Sequence, residues 1–271
     1  MKLIPALLIV GMFAVSGCSK QDAKQKPLSG EVVKDAEAGN ALAQCLLGLY
    51  YQIGTKGLTQ DYKEAVKWYT KSAEQGNAMA QGLLGSCYAE GKGVAKDEKE
   101  AVKWYTKSAE QGNAMAQRLL GSCYAGGKGV AKDEKEAVKW YTKSAEQGNA
   151  DAQCTLGVCY SQGMIGVTQD YKEAVKWYTK SAEQGNESAQ FFLGCCYWYG
   201  RAVGKDEKEA VKWFAKSAEQ GNAVAQFFLG CCFSEGEGVI QDYNEAVKWW
   251  TKAAEQGDKH AEKALEKLKS K

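Results

Sequence analysis

Residues 76–111 read GNAMAQGLLGSCYAEGKGVAKDEKEAVKWYTKSAEQ, and residues 112–147 repeat them with two changes, Gly82 to Arg118 and Glu90 to Gly126. Weaker copies begin at Gly39, Gly148, Gly185 and Gly221, and a truncated one at Gly257. A fixed period of 36 or 37 residues means a stacked array in which each unit contacts its neighbours, with no single central core. Six full units follow, 39–75, 76–111, 112–147, 148–184, 185–220 and 221–256. Residues 257–271 are expected to cap the array, which is expected to begin at residue 31.

Each unit reads as two helices. In 76–111, Asn77 is a good N-cap, and Ala80, Leu83, Leu84, Cys87 and Tyr88 form the apolar stripe of a first helix, A. Gly91-Lys92-Gly93-Val94 ends it. Asp97 then caps a second helix, B, with Glu100 three residues on in an arrangement close to a capping box. Helix B carries Ala101, Val102, Trp104, Tyr105 and Ala109 and ends at Gly112, which tolerates the left-handed conformation. Asn113 caps the next helix A at once, so the turn between units is tight. Gly85 and its equivalents Gly48, Gly121, Gly157, Gly194 and Gly230 sit mid-helix, at a cost of about 1 kcal/mol each against alanine. That cost implies close approach of helix B, with alanines such as Ala101 and Ala109 as the expected facing residues. Trp68, Trp104, Trp140, Trp177, Trp213 and Trp249 recur once per unit and read as packing wedges. The two longer units place their extra residue near Thr55-Lys56 and Met164-Ile165, in the A–B loop.

The N-terminus is a separate element. Met1-Lys2 is weakly basic, and residues 3–15 are mostly apolar but too short to span a bilayer. Val15-Ser16-Gly17-Cys18 resembles a bacterial lipobox. That resemblance implies a signal peptide over residues 1–17, cleavage after Gly17, and a lipid on the Cys18 thiol that holds the chain to a membrane. Ser19 in place of aspartate favours the outer membrane, with the array facing the periplasm. Residues 18–30 are the lipidated cysteine and a polar tether.

Lys plus Arg is 35 and Asp plus Glu is 33, a net of +2, so charge points to neither nucleic acid nor an acidic substrate. Nine cysteines besides Cys18 recur at equivalent positions in successive units. Packed helix layers lie about 8–10 Å apart, beyond the ~7 Å Cα separation of a disulfide, so these cysteines read as small buried apolar groups. Catalysis finds no support. The one histidine, His260, lies in the terminal cap, and S-x-x-K and G-x-x-x-x-G-K-[ST] motifs are absent. Asp61, Asp97, Asp133, Asp170, Asp206 and Asp242 read as helix caps, and Glu64, Glu100, Glu136, Glu173, Glu209 and Glu245 as their capping partners. No catalytic residue, metal site or cofactor is expected.

The recurring signature is A-E-Q-G-N-A-x-A-Q, then L-G-x-x-Y, then G-x-G-V-x-x-D, then E-A-V-K-W-Y-x-K-S. It resembles the Sel1-like repeat family, relatives of the tetratricopeptide repeats. The resemblance implies an all-α, right-handed solenoid of antiparallel helix-turn-helix repeats, with A helices on the concave side. It also implies a scaffold or adaptor in the bacterial envelope. Some secreted members of the family are cysteine-rich and bind β-lactams, which makes a β-lactam- or peptidoglycan-binding or hydrolysing envelope protein the alternative. Those members carry a regular disulfide in each repeat, whereas Ala73, Ala109 and Ala145 stand near the end of helix B here, so that framework does not carry over.

Helix B hardly varies between units, while helix A varies at the residue after A-x-A-Q and again near its end. Variable side chains on a constant frame suit a binding surface. The expected contacts to a partner protein or peptide segment are Arg118, Phe191, Trp198, Tyr199, Arg201 and Phe227, since aromatics and arginine dominate interface energetics. Phe192 and Phe228 replace Leu83 and Leu119 and read as inter-helix filling. The polar caps favour a monomer.

Overall fold

A computed structural model describes residues 30–55 and 57–269. Fourteen helices form among the described residues. After α1 (Gly30–Glu37), the A helices are α2 (Ala41–Ile53), α4 (Ala78–Glu90), α6 (Ala114–Gly126), α8 (Ala150–Gln162), α10 (Glu187–Tyr199) and α12 (Ala223–Glu235). The B helices are α3 (Tyr62–Glu74), α5 (Glu98–Glu110), α7 (Glu134–Glu146), α9 (Tyr171–Glu183), α11 (Glu207–Glu219) and α13 (Tyr243–Glu255), and α14 (Lys259–Lys269) closes the chain. The architecture is all-helical, a solenoid of paired helix-turn-helix repeats. Contacts group the described residues into two compact units, one ending at Trp104 and the other beginning at Tyr105.

Local chemistry sets the helix boundaries. Asn40, Asn77, Asn113, Asn149, Asn186 and Asn222 each accept, at 2.9 Å, the backbone N–H three residues on, and so begin every A helix. Asp61, Asp97, Asp133, Asp170, Asp206 and Asp242 cap the B helices in the same way, at 2.9–3.1 Å. The expected capping box does not close. The backbone N–H of the capping aspartate donates instead to a carbonyl near the end of helix A, as Asp61 does to Tyr51 and Asp170 to Tyr160. With that donor taken, the glutamates turn outward and pair with the lysine three residues ahead, for example Glu100 with Lys103 and Glu136 with Lys139. Between repeats the chain reverses on a glycine such as Gly112, at φ 88°.

The mid-helix glycines do mark close approach of helix B, but the facing group is an aromatic ring rather than an alanine side chain. A Cβ on Gly48 would stand 2.7 Å from the Tyr69 ring, one on Gly157 2.5 Å from Tyr178, and one on Gly194 2.7 Å from Phe214. The alanines contribute their backbone, with Ala65 O and Ala210 O next nearest to Gly48 and Gly194 at 3.1 and 3.2 Å. The tryptophans are wedges, as read. Trp177 packs with Ala137, Tyr141, Ala145, Ala152 and Leu156, joining the preceding helix B to its own helix A. Trp249 does so with Phe214, Ala218, Ala225 and Leu229.

Buried polar groups fix how each repeat sits on the one before. Gln153, Gln190 and Gln226 are buried. Their amides donate to Ala145 O, Ala182 O and Ala218 O of the preceding helix B at 2.9, 3.2 and 3.0 Å. Their side-chain oxygens accept from Gln184, Gln220 and Gln256 at 2.7, 2.7 and 2.8 Å. Ser144, Ser181 and Ser217 are also buried. They donate to Ala114 O, Ala150 O and Glu187 O at 2.6–2.8 Å. The same bonds hold α1 to α4 in the first unit, through Gln44, Ser72, Gln75 and Gln81. A buried polar atom left without a partner costs about 1–3 kcal/mol, so a register slip that broke these pairs would be disfavoured.

Candidate functional site

The C-terminal repeats carry a run of rings that the earlier ones lack. Phe191 and Phe192 on α10, Phe227 and Phe228 on α12 and Trp198 on α10 are all half-buried. Tyr178 stacks on Phe192 at 5.2 Å, Phe192 meets Phe191 at 5.6 Å, and Phe191 meets Phe228 edge-on at 5.6 Å. Phe228 then meets Phe227 at 5.9 Å, and Phe227 meets His260 of α14 at 5.7 Å. Each separation lies in the range where ring pairs attract. The inner halves of Phe191 and Phe228 pack on the core around Phe214 and Leu229, and that of Phe227 on Trp250 and Ala261. Phe192 and Phe228 do fill the space between helices, and Phe191 and Phe227 share that role while keeping an outer half in solvent.

Trp198 reflects a paired exchange. In the first and fourth repeats a helix B tyrosine hydroxyl bonds the end of helix A, Tyr69 to Gln52 at 2.6 Å and Tyr178 to Ser161 at 3.1 Å. In the fifth, Phe214 has no hydroxyl and Trp198 takes the place of the polar partner, ring to ring at 6.1 Å. Trp198 is therefore partly a core residue. Tyr199, next along, is 55% exposed. Arg201 follows Gly200 and is exposed. Its guanidinium stands 5.3 Å from the ring centres of both Tyr171 and Tyr199.

Arg118 belongs to a different place, on α6. Its Nε lies 3.8 Å from Asp151 on α8, and Asp151 accepts from Asn186 at 3.0 Å. That ion pair links A helices across repeats and is not joined by ring contacts to the aromatic run. Cys18 lies outside the described residues. Shallow clefts open between A–B loops, one lined by Ser122, Lys132, Glu134 and Ile165 and another by Lys205, Glu207, Gly238 and Ile240.

Among the described residues nine cysteines stand outside any disulfide: Cys45, Cys87, Cys154, Cys159, Cys196 and Cys232 are buried, and Cys123, Cys195 and Cys231 half-buried. Burial pushes Cys45, Cys154, Cys195 and Cys232 up to about 12, and Cys87, Cys159, Cys196 and Cys231 to about 11. They are therefore poor nucleophiles near neutral pH. Tyr69 and Tyr178 are raised by burial as well.

Several residues that shape this region were missed in the sequence. Tyr171 belongs with Arg201, yet the two are thirty residues apart and no periodic pattern links them. Phe214 could have been found, because it replaces a tyrosine in the same repeat in which tryptophan replaces a polar residue. The glutamine of A-x-A-Q and the serine of K-S recur through the array, and a recurrent polar residue on an otherwise apolar helix face was the available signal for the buried relay.

Known proteins match this arrangement. The Sel1 repeat profile matches six times in succession, at residues 41–77, 78–113, 114–149, 150–186, 187–222 and 223–258. A protective antigen of uropathogenic Escherichia coli with an SLR fold is 39% identical at a TM-score of 0.78, over 86% of this chain and 49% of that one. This chain thus spans about half the length of that antigen. A Sel1 repeat protein from Oxalobacter formigenes is 34% identical at a TM-score of 0.73, over 82% of this chain and 95% of that one. No curated protein sequence matches significantly. Six consecutive matches to one profile, together with the paired helices described above, place the chain in the Sel1 repeat family.

Proposed function

We propose that this protein is a non-enzymatic scaffold of the bacterial envelope, held by a lipid on Cys18, that captures a partner protein or peptide segment on the A-helix side of its fifth and sixth repeats. Sel1 and related repeats serve in general as protein-binding frames. The observation that carries the finer reading is the contrast within the array. The B helices stay nearly constant, while α10 and α12 alone hold the linked rings of Phe191, Phe192, Phe227 and Phe228. Beside these lie the exposed Tyr199 and Arg201. Half-exposed aromatics on a rigid frame lose little side-chain entropy on binding. The antigenic character of the Escherichia coli relative fits an envelope location, and the lipobox-like Val15-Ser16-Gly17-Cys18 fits lipid anchoring.

Proximity cross-linking in the native cell, with the full chain as bait, tests both parts. A discrete partner captured by wild type and lost in Trp198→Ala/Tyr199→Ala, but kept in Lys212→Ala on α11, is the expected result. Unchanged capture by the double variant would refute the location. Cys18→Ala is expected to release the chain from the membrane fraction, and retention there would refute the anchor.

A further inference from the structure

The fifth repeat differs from the second at one pair of positions in a way that changes what its loop can bind. In the second repeat, Glu90 at the end of helix A pairs with Lys92 two residues on. In the fifth, the same two positions are Tyr199 and Arg201. The carboxylate has become a ring and the ammonium a guanidinium. Arg201 makes no ion pair or side-chain hydrogen bond among the described residues, and its head is held by rings alone, at 5.3 Å from Tyr171 and 5.3 Å from Tyr199.

The holder is itself fixed. The Arg201 backbone N–H donates to Cys196 O at 2.9 Å, which ties the residue to the end of α10. Tyr171 begins α9, and its hydroxyl accepts from Gln169 at 3.2 Å. The same Gln169 amide donates to Ser161 O at 2.8 Å. Rings attract a guanidinium through its face and leave its edge donors unused. An exposed guanidinium so positioned presents its N–H fork for two parallel hydrogen bonds to a carboxylate. The exposed Tyr199 ring offers apolar area immediately beside that fork.

We infer that Tyr171, Arg201 and Tyr199 form a carboxylate-recognition subsite, which takes an Asp or Glu side chain of a partner segment and packs a neighbouring apolar residue on Tyr199. The inference rests on the scaffold reading above and names the chemistry of the partner. The commitment to an acidic peptide follows from charge: Lys92 at the same position of the second repeat pairs with Glu90, whereas Arg201 has two rings beside it and no carboxylate partner among the described residues.

The test uses the full chain and an array of terminally blocked heptapeptides, each acidic peptide matched by its Asn/Gln counterpart, with binding then measured in solution for the best sequences. Wild type is expected to select acidic peptides carrying an adjacent apolar residue. Arg201→Gln is expected to weaken them at least about tenfold, and Arg201→Lys, which keeps the charge but loses the fork, by several-fold. Helix content by circular dichroism should be unchanged in both. Peptides bound equally by wild type and Arg201→Gln, or selected without regard to acid, would overturn the subsite and leave the scaffold reading intact. No binding of any peptide would count against both. Inorganic phosphate bound by wild type and not by Arg201→Gln, with no peptide selection, would assign the fork to free oxyanions and overturn the peptide.

Discussion

Replacing Gly194 with alanine sets two known energies against each other. Alanine in a helix interior is favoured over glycine by about 1 kcal/mol, so local propensity alone forecasts a more stable protein. The structure forecasts the opposite. The added Cβ would sit 2.7 Å from two carbons of the Phe214 ring and 3.2 Å from Ala210 O, about 0.7 Å short of an ordinary 3.4 Å contact at the ring. Phe214 is fully buried and touches Phe191, Phe228 and Trp198, so its ring has no free direction in which to move. Overpacking of this kind costs about 1–3 kcal/mol, which against the gain of about 1 kcal/mol leaves a net loss of up to about 2 kcal/mol. Gly126→Ala is the control. Its Cβ would meet only the flexible Lys128 side chain at 3.5 Å, and the same position is Ile53, Glu90, Gln162, Tyr199 or Glu235 in other repeats. It should be neutral or stabilising by a few tenths of a kcal/mol. Urea denaturation followed by circular dichroism gives the overall change. Amide hydrogen exchange in α10 and α11 localises it, because repeat arrays can unfold in parts. A Gly194→Ala protein more stable than wild type would refute the close-approach reasoning.

Two further predictions concern the buried groups. Gln190→Met removes the donor to Ala182 O and the acceptor for Gln220, and should lower stability by about 1–3 kcal/mol in the same denaturation assay. A neutral result would show that the relay does not hold register. The raised thiols predict alkaline sensitivity. The native state keeps protons that the unfolded chain releases, so this stabilisation is whole below the ordinary thiol value of 9 and is lost as pH rises through about 11 to 12. The urea midpoint should fall steadily above about pH 9 under reducing conditions, and a midpoint unchanged beyond about pH 10 would contradict the burial.

What the sequence disclosed followed from the range of each interaction. The Asn and Asp caps act over three residues, so Asn186 and Asp206 were legible directly. The glycine at position 194 announced a close approach but not its partner, because Ala210 and Phe214 lie four apart on one face of helix B and either could point at it. The capping box was misread for a similar reason. A glutamate three after the cap suits a bond back to the cap or a lysine three ahead, and what decided was the remote carbonyl of Tyr51 or Tyr160 that had taken the cap's N–H. At the candidate site, side-chain type was legible and its division was not. Phe191 and Phe227 are core on one side and surface on the other, and only packing shows which atoms fall where. Arg118 was read as a partner contact from its variation between repeats, and its ion-pair partner, Asp151, was not legible because it lies in another repeat.

The glutamine joints also bear on how such a chain changes length. Gln153 to Ala145, Gln190 to Ala182 and Gln226 to Ala218 are one joint made three times from residues that recur in each unit. Unequal recombination that inserts or removes a whole unit would therefore leave no orphaned polar atom at the scar. The two differences that separate residues 76–111 from 112–147 are the trace such an event would leave while still recent. The distinctive rings and Arg201 lie beyond that stretch, so each added copy would lengthen the chain between them and the N-terminus while leaving those residues unchanged.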